Sequence, residues 1–301
     1  MPSSVQVAST NLPSIELPTR NWQRWLFAAL SLVLLAVIVH QLGRLDARQL
    51  IDSIPASPGF WLAFAGYYLA LPVSEWLIYR RLWRLPAEGF RALLRKLVSN
   101  EVLLGYSGEA SFYAWARRHA GLTSAPFGAI KDVSIASALA GNIVTLIMVA
   151  IAWMVLGKFH NGIEAQHIGL SVAVMLLISF AVALFRRKLF SLPAAQLRFI
   201  LAVHLGRLAA TTLLSGLLWH FALPEVAISS WVLLAALQLL VTRLPFLPNK
   251  DLVFASATLA IVARGSEIGR LIAIVASLIL VTHLLVGVAL VAADLIDEAR
   301  A

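Results

Sequence analysis

Apolar stretches of about 18 to 25 residues recur along this chain, at 25–42, 60–79, 133–156, 168–185, 199–221, 229–247 and 270–293, and each has the length a helix needs to cross the hydrocarbon core of a bilayer. Nothing else in the sequence limits the fold so tightly. Backbone N–H and C=O groups find no water in lipid, so such segments must satisfy them internally as helices. The expected fold class is therefore all-α, a polytopic helical membrane protein. Composition agrees, with 60% hydrophobic and 13% charged residues against roughly 25% charged in a soluble domain.

The gaps between apolar segments are short loops, too small for a soluble catalytic domain, so chemistry is expected in or at the bilayer. Residues 1–24 read as a flexible cytoplasmic N-terminal tail, and residues 25–301 as a single membrane-embedded domain. The chain has no cysteine, which excludes thiol nucleophiles, thiolate metal sites and disulfides. Its net charge of +9 lies in loop clusters rather than along one soluble face, so membrane topology accounts for it and no nucleic-acid partner is expected.

Two segments, 97–117 and 252–263, are too polar or too short to be ordinary spans. Short cytoplasmic loops are enriched in Lys and Arg. By that rule the loop with Arg80, Arg81, Arg84, Arg91, Arg95 and Lys96 is cytoplasmic, and so is the loop with Arg186, Arg187, Lys188 and Arg198. An even number of crossings must separate them, and 133–156 with 168–185 already supply it. Segment 97–117 then enters and leaves on the cytoplasmic side. The same parity applied to Arg243, Lys250, Arg264 and Arg270 makes 252–263 a second re-entrant segment. The expectation is about seven spans plus two re-entrant helical hairpins, with the N-terminus inside and Asp294, Asp297 and Glu298 outside.

The first broken segment holds Glu101 and Glu109 and is interrupted by Gly105 and Gly108. Irregular backbone at membrane depth persists only where protein buries it or a wet cavity lines it, which makes this a candidate site. Glu75, beyond Pro72 in the second span, and Arg207, well inside the fifth with His204 one turn earlier, are intramembrane charges that need partners. Glu75 reads either as a functional acid or as one snorkelling or pairing to Tyr79 or Arg80. Arg207 reads either as a phosphate-binding fork or as the partner of Glu75 or Glu109. Pro248 and Lys250 stand just before the second broken segment, where Asn249 or Asp251 would cap a helix and Lys250 would favour an anion. His40, His220 and His283 fall on different helices without ligand spacing, and HExxH, glycine-rich phosphate loops and Ser-His-Asp order are missing, so no metal or cofactor is expected. The tryptophans, among them Trp22, Trp25, Trp61, Trp83, Trp153 and Trp231, read as interfacial anchors.

The run Gly105-Tyr106-Ser107-Gly108-Glu109 after a basic loop, with the later Leu244-Pro245-Phe246-Leu247-Pro248-Asn249-Lys250-Asp251, resembles the transmembrane flippase region of the lysylphosphatidylglycerol synthase family, flippase-like integral membrane proteins of bacteria. The resemblance spans nearly the whole chain. That family usually carries Pro-Gly-x-x-Gly-Glu in the first segment and Pro-x-x-Pro-Gly-Gly-x-Gly in the later one. Gly105, Gly108, Glu109, Pro245 and Pro248 match, whereas Leu104 stands in place of proline and Asn249-Lys250-Asp251 in place of the glycines. An acid-Arg pair that opens the family's next span falls near Lys131-Asp132, a rough match.

The resemblance implies an inner-membrane protein that moves or binds a lipid or lipid-linked headgroup; its matched residues Gly105, Gly108, Glu109 and Pro248, together with the charges Glu75, Arg207 and Lys250 read above, are the expected substrate-binding residues. Its expected partners are membrane lipids with phosphate-bearing headgroups. The alternative is an intramembrane lipid-modifying enzyme, or an accessory subunit of a lipid or cell-envelope glycosylation pathway, with Glu75, Glu109 or Asp132 as base.

Overall fold

A computed structural model of the chain describes residues 55–102, 107–119, 126–156, 163–244, 254, 258 and 265–300, and every regular element among them is a helix. In chain order these are α1 (Pro58–Trp83), α2 (Glu88–Val102), α3 (Ser107–His119), α4 (Phe127–Leu156), α5 (Ile163–Leu184), α6 (Arg186–Leu189), α7 (Ala194–Ala222), α8 (Ile228–Arg243) and α9 (Gly265–Arg300). The expected first span, the N-terminal tail, Gly105, Pro248, Lys250 and all but Phe254 and Thr258 of the second broken segment lie outside the described residues.

Among the described residues four helices are long and apolar enough to cross a membrane: Phe127–Ile151 within α4, Gln166–Leu184 within α5, α7, and Glu267–Ile296 within α9. The other two apolar segments expected to span depart from that pattern. Helix α1 has 26 residues but carries Glu75, Arg80 and Arg81, with Pro72 inside it. Helix α8 has 16 residues, about 24 Å at 1.5 Å per residue, short of the roughly 30 Å core.

Side-chain contacts set the direction of each helix. Gly59 packs against Phe221, Gly66 against Leu214, and Arg81 lies over the Phe199 ring, so α1 and α7 are antiparallel along their length. Leu192 meets Asp132 and Arg207 meets Ser137, so α4 and α7 start at the same end. Helix α8 turns back on α7, with Gly216 against Val232 and Trp219 against Trp231.

The buried apolar core divides between the two ends. One cluster joins the start of α1, the end of α7, α8 and the first half of α9 through Phe60, Leu218, Trp231 and Ile268. The other joins the end of α1 to α2, α3 and the starts of α4 and α7 through Tyr79, Leu93, Phe112, Val133 and Ile200. Trp231 is fully buried and donates from its indole N–H to the Leu223 carbonyl at 3.3 Å, so it is a core residue rather than the interfacial anchor the sequence suggested. Trp61, 41% exposed near the start of α1, does fit an anchor.

Helix α9 overturns part of the topology read from loop charge. Tyr68 Oη meets His283 Nδ1 at 3.1 Å, Val98 and Val102 pack with Leu284, and Arg95 pairs with Asp294. Along α9, then, the contacts run backward along α2 and toward the Arg80–Arg84 end of α1. Asp294 consequently lies toward the end of the molecule that carries the basic α1–α2 corner, not the opposite one. The charge rule treats acids as nearly neutral bystanders, whereas here an acid is placed by direct attraction to Arg95.

Candidate functional site

Helices α2 and α3 form an antiparallel pair. Ser107 donates to the Ser99 carbonyl at 2.9 Å, the Gly108 amide donates to Asn100 Oδ1 at 2.7 Å, and Glu109 approaches Lys96. A side chain of α2 thus satisfies one of the free amides at the start of α3, as a cap from within its own helix would. Gly108 is the close-approach point of the pair. A Cβ there would run into the Lys96 carbonyl oxygen and lie 2.8 Å from Asn100 Oδ1, so the missing side chain is what lets the two backbones meet.

That contact carries Glu109, in the first turn of α3, over Lys96. Lys96 Nζ lies 2.5 Å from Glu75 Oε1 and 3.4 Å from Glu109 Oε1, one ammonium between two carboxylates. The side chains of Lys96 and Glu75 are only 4% and 8% exposed, and that of Glu109 is 20% exposed. Charges so far out of water persist only as a compensated set. Glu75 and Glu109, both picked out in the sequence, are therefore brought together, but by Lys96, which had been read as a loop cation. Neither Tyr79 nor Arg80 serves as the Glu75 partner in this arrangement, and Arg80 instead lies over the Trp76 ring.

Arg207 does not make the ion pair with Glu75 or Glu109 that was one of its two expected roles. It forms no ion pair among the described residues. Its Nη2 donates to Ser137 Oγ at 3.4 Å, and its Nε is buried without a partner among the described residues. Glu75, Arg243 and Tyr67 act on it at longer range. Arg243 was read as a cytoplasmic loop cation, but the last residue of the short α8 reaches only the middle of α4. Its guanidinium lies against Gly141, where the absence of a Cβ makes the room.

The result is a buried meeting point of α1, α2, α3, α4, α7 and α8. Glu75 and Glu109 face Lys96, and Arg207, with Arg243 near it, acts on Glu75 at longer range. Several polar atoms there have no hydrogen-bond partner among the described residues: Glu109 Oε2, Tyr79 Oη and Arg207 Nε. Buried polar groups are normally satisfied, and a group of them in one place is the usual mark of a site that takes water or a polar ligand.

Asp132 belongs to another arrangement. Its Oδ2 accepts from the Ser191 and Leu192 amides at 2.7 and 2.8 Å, and Lys131, 3.5 Å from its Oδ1, also bonds the Leu189 carbonyl. It ties the chain between α6 and α7 to the start of α4 through Oδ2, while its Oδ1 is buried with no hydrogen-bond partner among the described residues.

A helical reading of 88–102 places Lys96 on the face of Gly89, Ala92, Leu93 and Ser99, all buried. That was the available signal for Lys96. For Arg243 there was none, because its depth depends on where α8 stops against α4. Among the described residues no cluster of His, Cys, Asp and Glu is arranged to hold a metal ion. No family model matches this chain, and no curated protein or solved structure is similar to it.

Proposed function

We propose that this chain is an integral protein of the bacterial inner membrane that binds a phosphate-bearing lipid or lipid-linked headgroup and moves it between leaflets, as the flippase-like resemblance implies. The observation that carries the proposal is the buried Lys96–Glu75 pair with Glu109 beside it, the partly buried Arg207 and Arg243 within electrostatic range, and the orphaned polar atoms around it. In this reading α2 and α3 form a re-entrant hairpin, and the short α8, packed on α7 and α4, ends near mid-depth. Broken or shortened helices meeting there are the pattern of alternating-access sites. The N-terminus is taken as cytoplasmic.

Arg207 and Arg243 take the phosphate, each able to give two parallel N–H···O bonds. Lys96 holds the two glutamates ionised and close. Glu109, the more exposed of the two, is the acid that meets a headgroup amine or a coupling proton.

The test is lipid movement in proteoliposomes, followed as the fraction of fluorescent phospholipid quenched by a reductant confined to the outside. Glu109→Gln removes the charge and nearly keeps the shape, so movement should fall at least to about a tenth with the yield of folded protein unchanged. Wild-type rates in that variant would end the proposal for Glu109, and wild-type chain that moves no phospholipid of any headgroup would end the transport reading.

A further inference from the structure

A second polar feature stands apart from the buried cluster, at the corner where α1 gives way to α2. A cavity of about 470 Å³ opens there, lined by Trp76, Arg80, Arg84, Leu85, Pro86 and Ala87. Its form follows from the chain. Arg84 caps α1 in the left-handed conformation, at φ 52° and ψ 42°, with its amide donating to the Arg80 carbonyl at 2.9 Å. That reversal turns Leu85-Pro86-Ala87 back as a wall before α2 begins.

The lining is basic and aromatic, with no acid in it. The Arg80 guanidinium lies 4.8 Å from the Trp76 ring centre, and Phe90 holds the indole edge-on from the other helix. Both arginines are exposed, and among the described residues neither pairs with a carboxylate. The Trp76 indole N–H is buried without an acceptor among the described residues. An indole nitrogen can only donate. Two free guanidinium forks and an unused N–H donor at one cavity ask for an acceptor-rich anion. The carbonyl end of α1 opposes an anion by about 0.3 to 1 kcal/mol, and the start of α2 beside Ala87 favours one by a similar amount, so the arginines decide the sign.

The surface beside the cavity tells which anion. Val73, Leu77 and Arg80 follow the i, i+4, i+7 spacing of one helical stripe, and Arg84 follows at the cap of the same helix. Val73 is 40% and Leu77 46% exposed, so an uncovered apolar strip runs directly into the exposed basic pair. A free phosphate has no use for that strip, whereas a phospholipid has acyl chains to lay along it.

We infer that the α1–α2 corner is a binding site for a phosphate-bearing lipid, with Arg80 and Arg84 on the phosphate, Trp76 donating to it, and the acyl chains along Leu77 and Val73. The site rests on the membrane placement of α1 proposed above, but not on transport.

Native mass spectrometry of the full chain in detergent tests it, with phosphatidylglycerol, the same diacylglycerol lacking the phosphate, and inorganic phosphate as probes. Arg80→Gln with Arg84→Asn removes both forks, and asparagine tolerates the left-handed cap. The double variant should elute as wild type and retain phosphatidylglycerol about tenfold or more weakly. Arg80→Lys with Arg84→Lys should recover most of the loss, since lysine still binds phosphate as a point charge. Trp76→Phe should weaken retention several-fold. Equal retention of diacylglycerol, or unchanged phosphatidylglycerol retention in the Gln/Asn variant, would overturn the site. Inorganic phosphate bound as tightly as the lipid, and lost in the same variant, would overturn the lipid while upholding the phosphate. Retention is read without transport, so normal lipid movement by Glu109→Gln leaves this result standing, and loss of corner binding leaves the buried cluster untouched.

Discussion

Replacing Lys96 with methionine removes one ammonium and keeps nearly the same volume, so it isolates electrostatics from packing. In the native chain that ammonium lies 2.5 Å from Glu75 and 3.4 Å from Glu109. Without it two carboxylates stay in a site where the Glu75 side chain is only 8% exposed. Breaking a buried pair by deleting one partner costs about 3–5 kcal/mol, because the remaining charge is stranded. Glu109 is the better hydrated of the two, and most of the penalty should fall on Glu75. At roughly 2–4 °C per kcal/mol for chains of 150–250 residues, the apparent melting temperature should drop by about 10 °C, measured by intrinsic tryptophan fluorescence at one fixed scan rate. Adding Glu75→Gln to Lys96→Met should restore most of that loss, since the amide leaves no net charge behind. A drop under about 2 °C for Lys96→Met, or a double variant no more stable than the single one, would refute the claim that Lys96 is what keeps these acids ionised together.

Gly108→Ala should destabilise the chain by about 1–3 kcal/mol through overpacking against the Lys96 carbonyl. Gly206→Ala, whose added Cβ meets nothing within 4 Å, should be neutral or stabilising by up to about 1 kcal/mol, and the same fluorescence melts separate the two. On topology, reporter insertions at Ala87 and after Asp294 should report the same side of the membrane, because Arg95 pairs with Asp294. Opposite sides would refute the direction assigned to α9 and reinstate the loop-charge parity.

The helices and most of their limits were legible before any coordinates. Apolar runs near 133–156, 168–185, 199–221 and 270–293 became α4, α5, α7 and α9, because in lipid the backbone must satisfy itself and apolar length therefore dictates structure. The close approach at Gly108 was legible too, since glycine in an otherwise helical run marks a turn or a close approach. Glu75 and Glu109 stood out as intramembrane acids for the same one-dimensional reason, that such charges are costly and rare. What partners them was decided in three dimensions. Lys96 sits among five other basic residues that the charge rule reads as a loop, and only the pairing of α2 with α1 and α3 turns its ammonium inward. Arg243 was assigned to a cytoplasmic loop on the same rule, yet α8 ends halfway along α4 and lodges it against Gly141. Asp294 was sent to the far side by parity and is held beside Arg95 by contact. Apolar length is a property of a segment and can be read from it, whereas the depth and partner of a charge depend on which surfaces of other helices it meets. Those surfaces are set by packing between residues far apart in the chain.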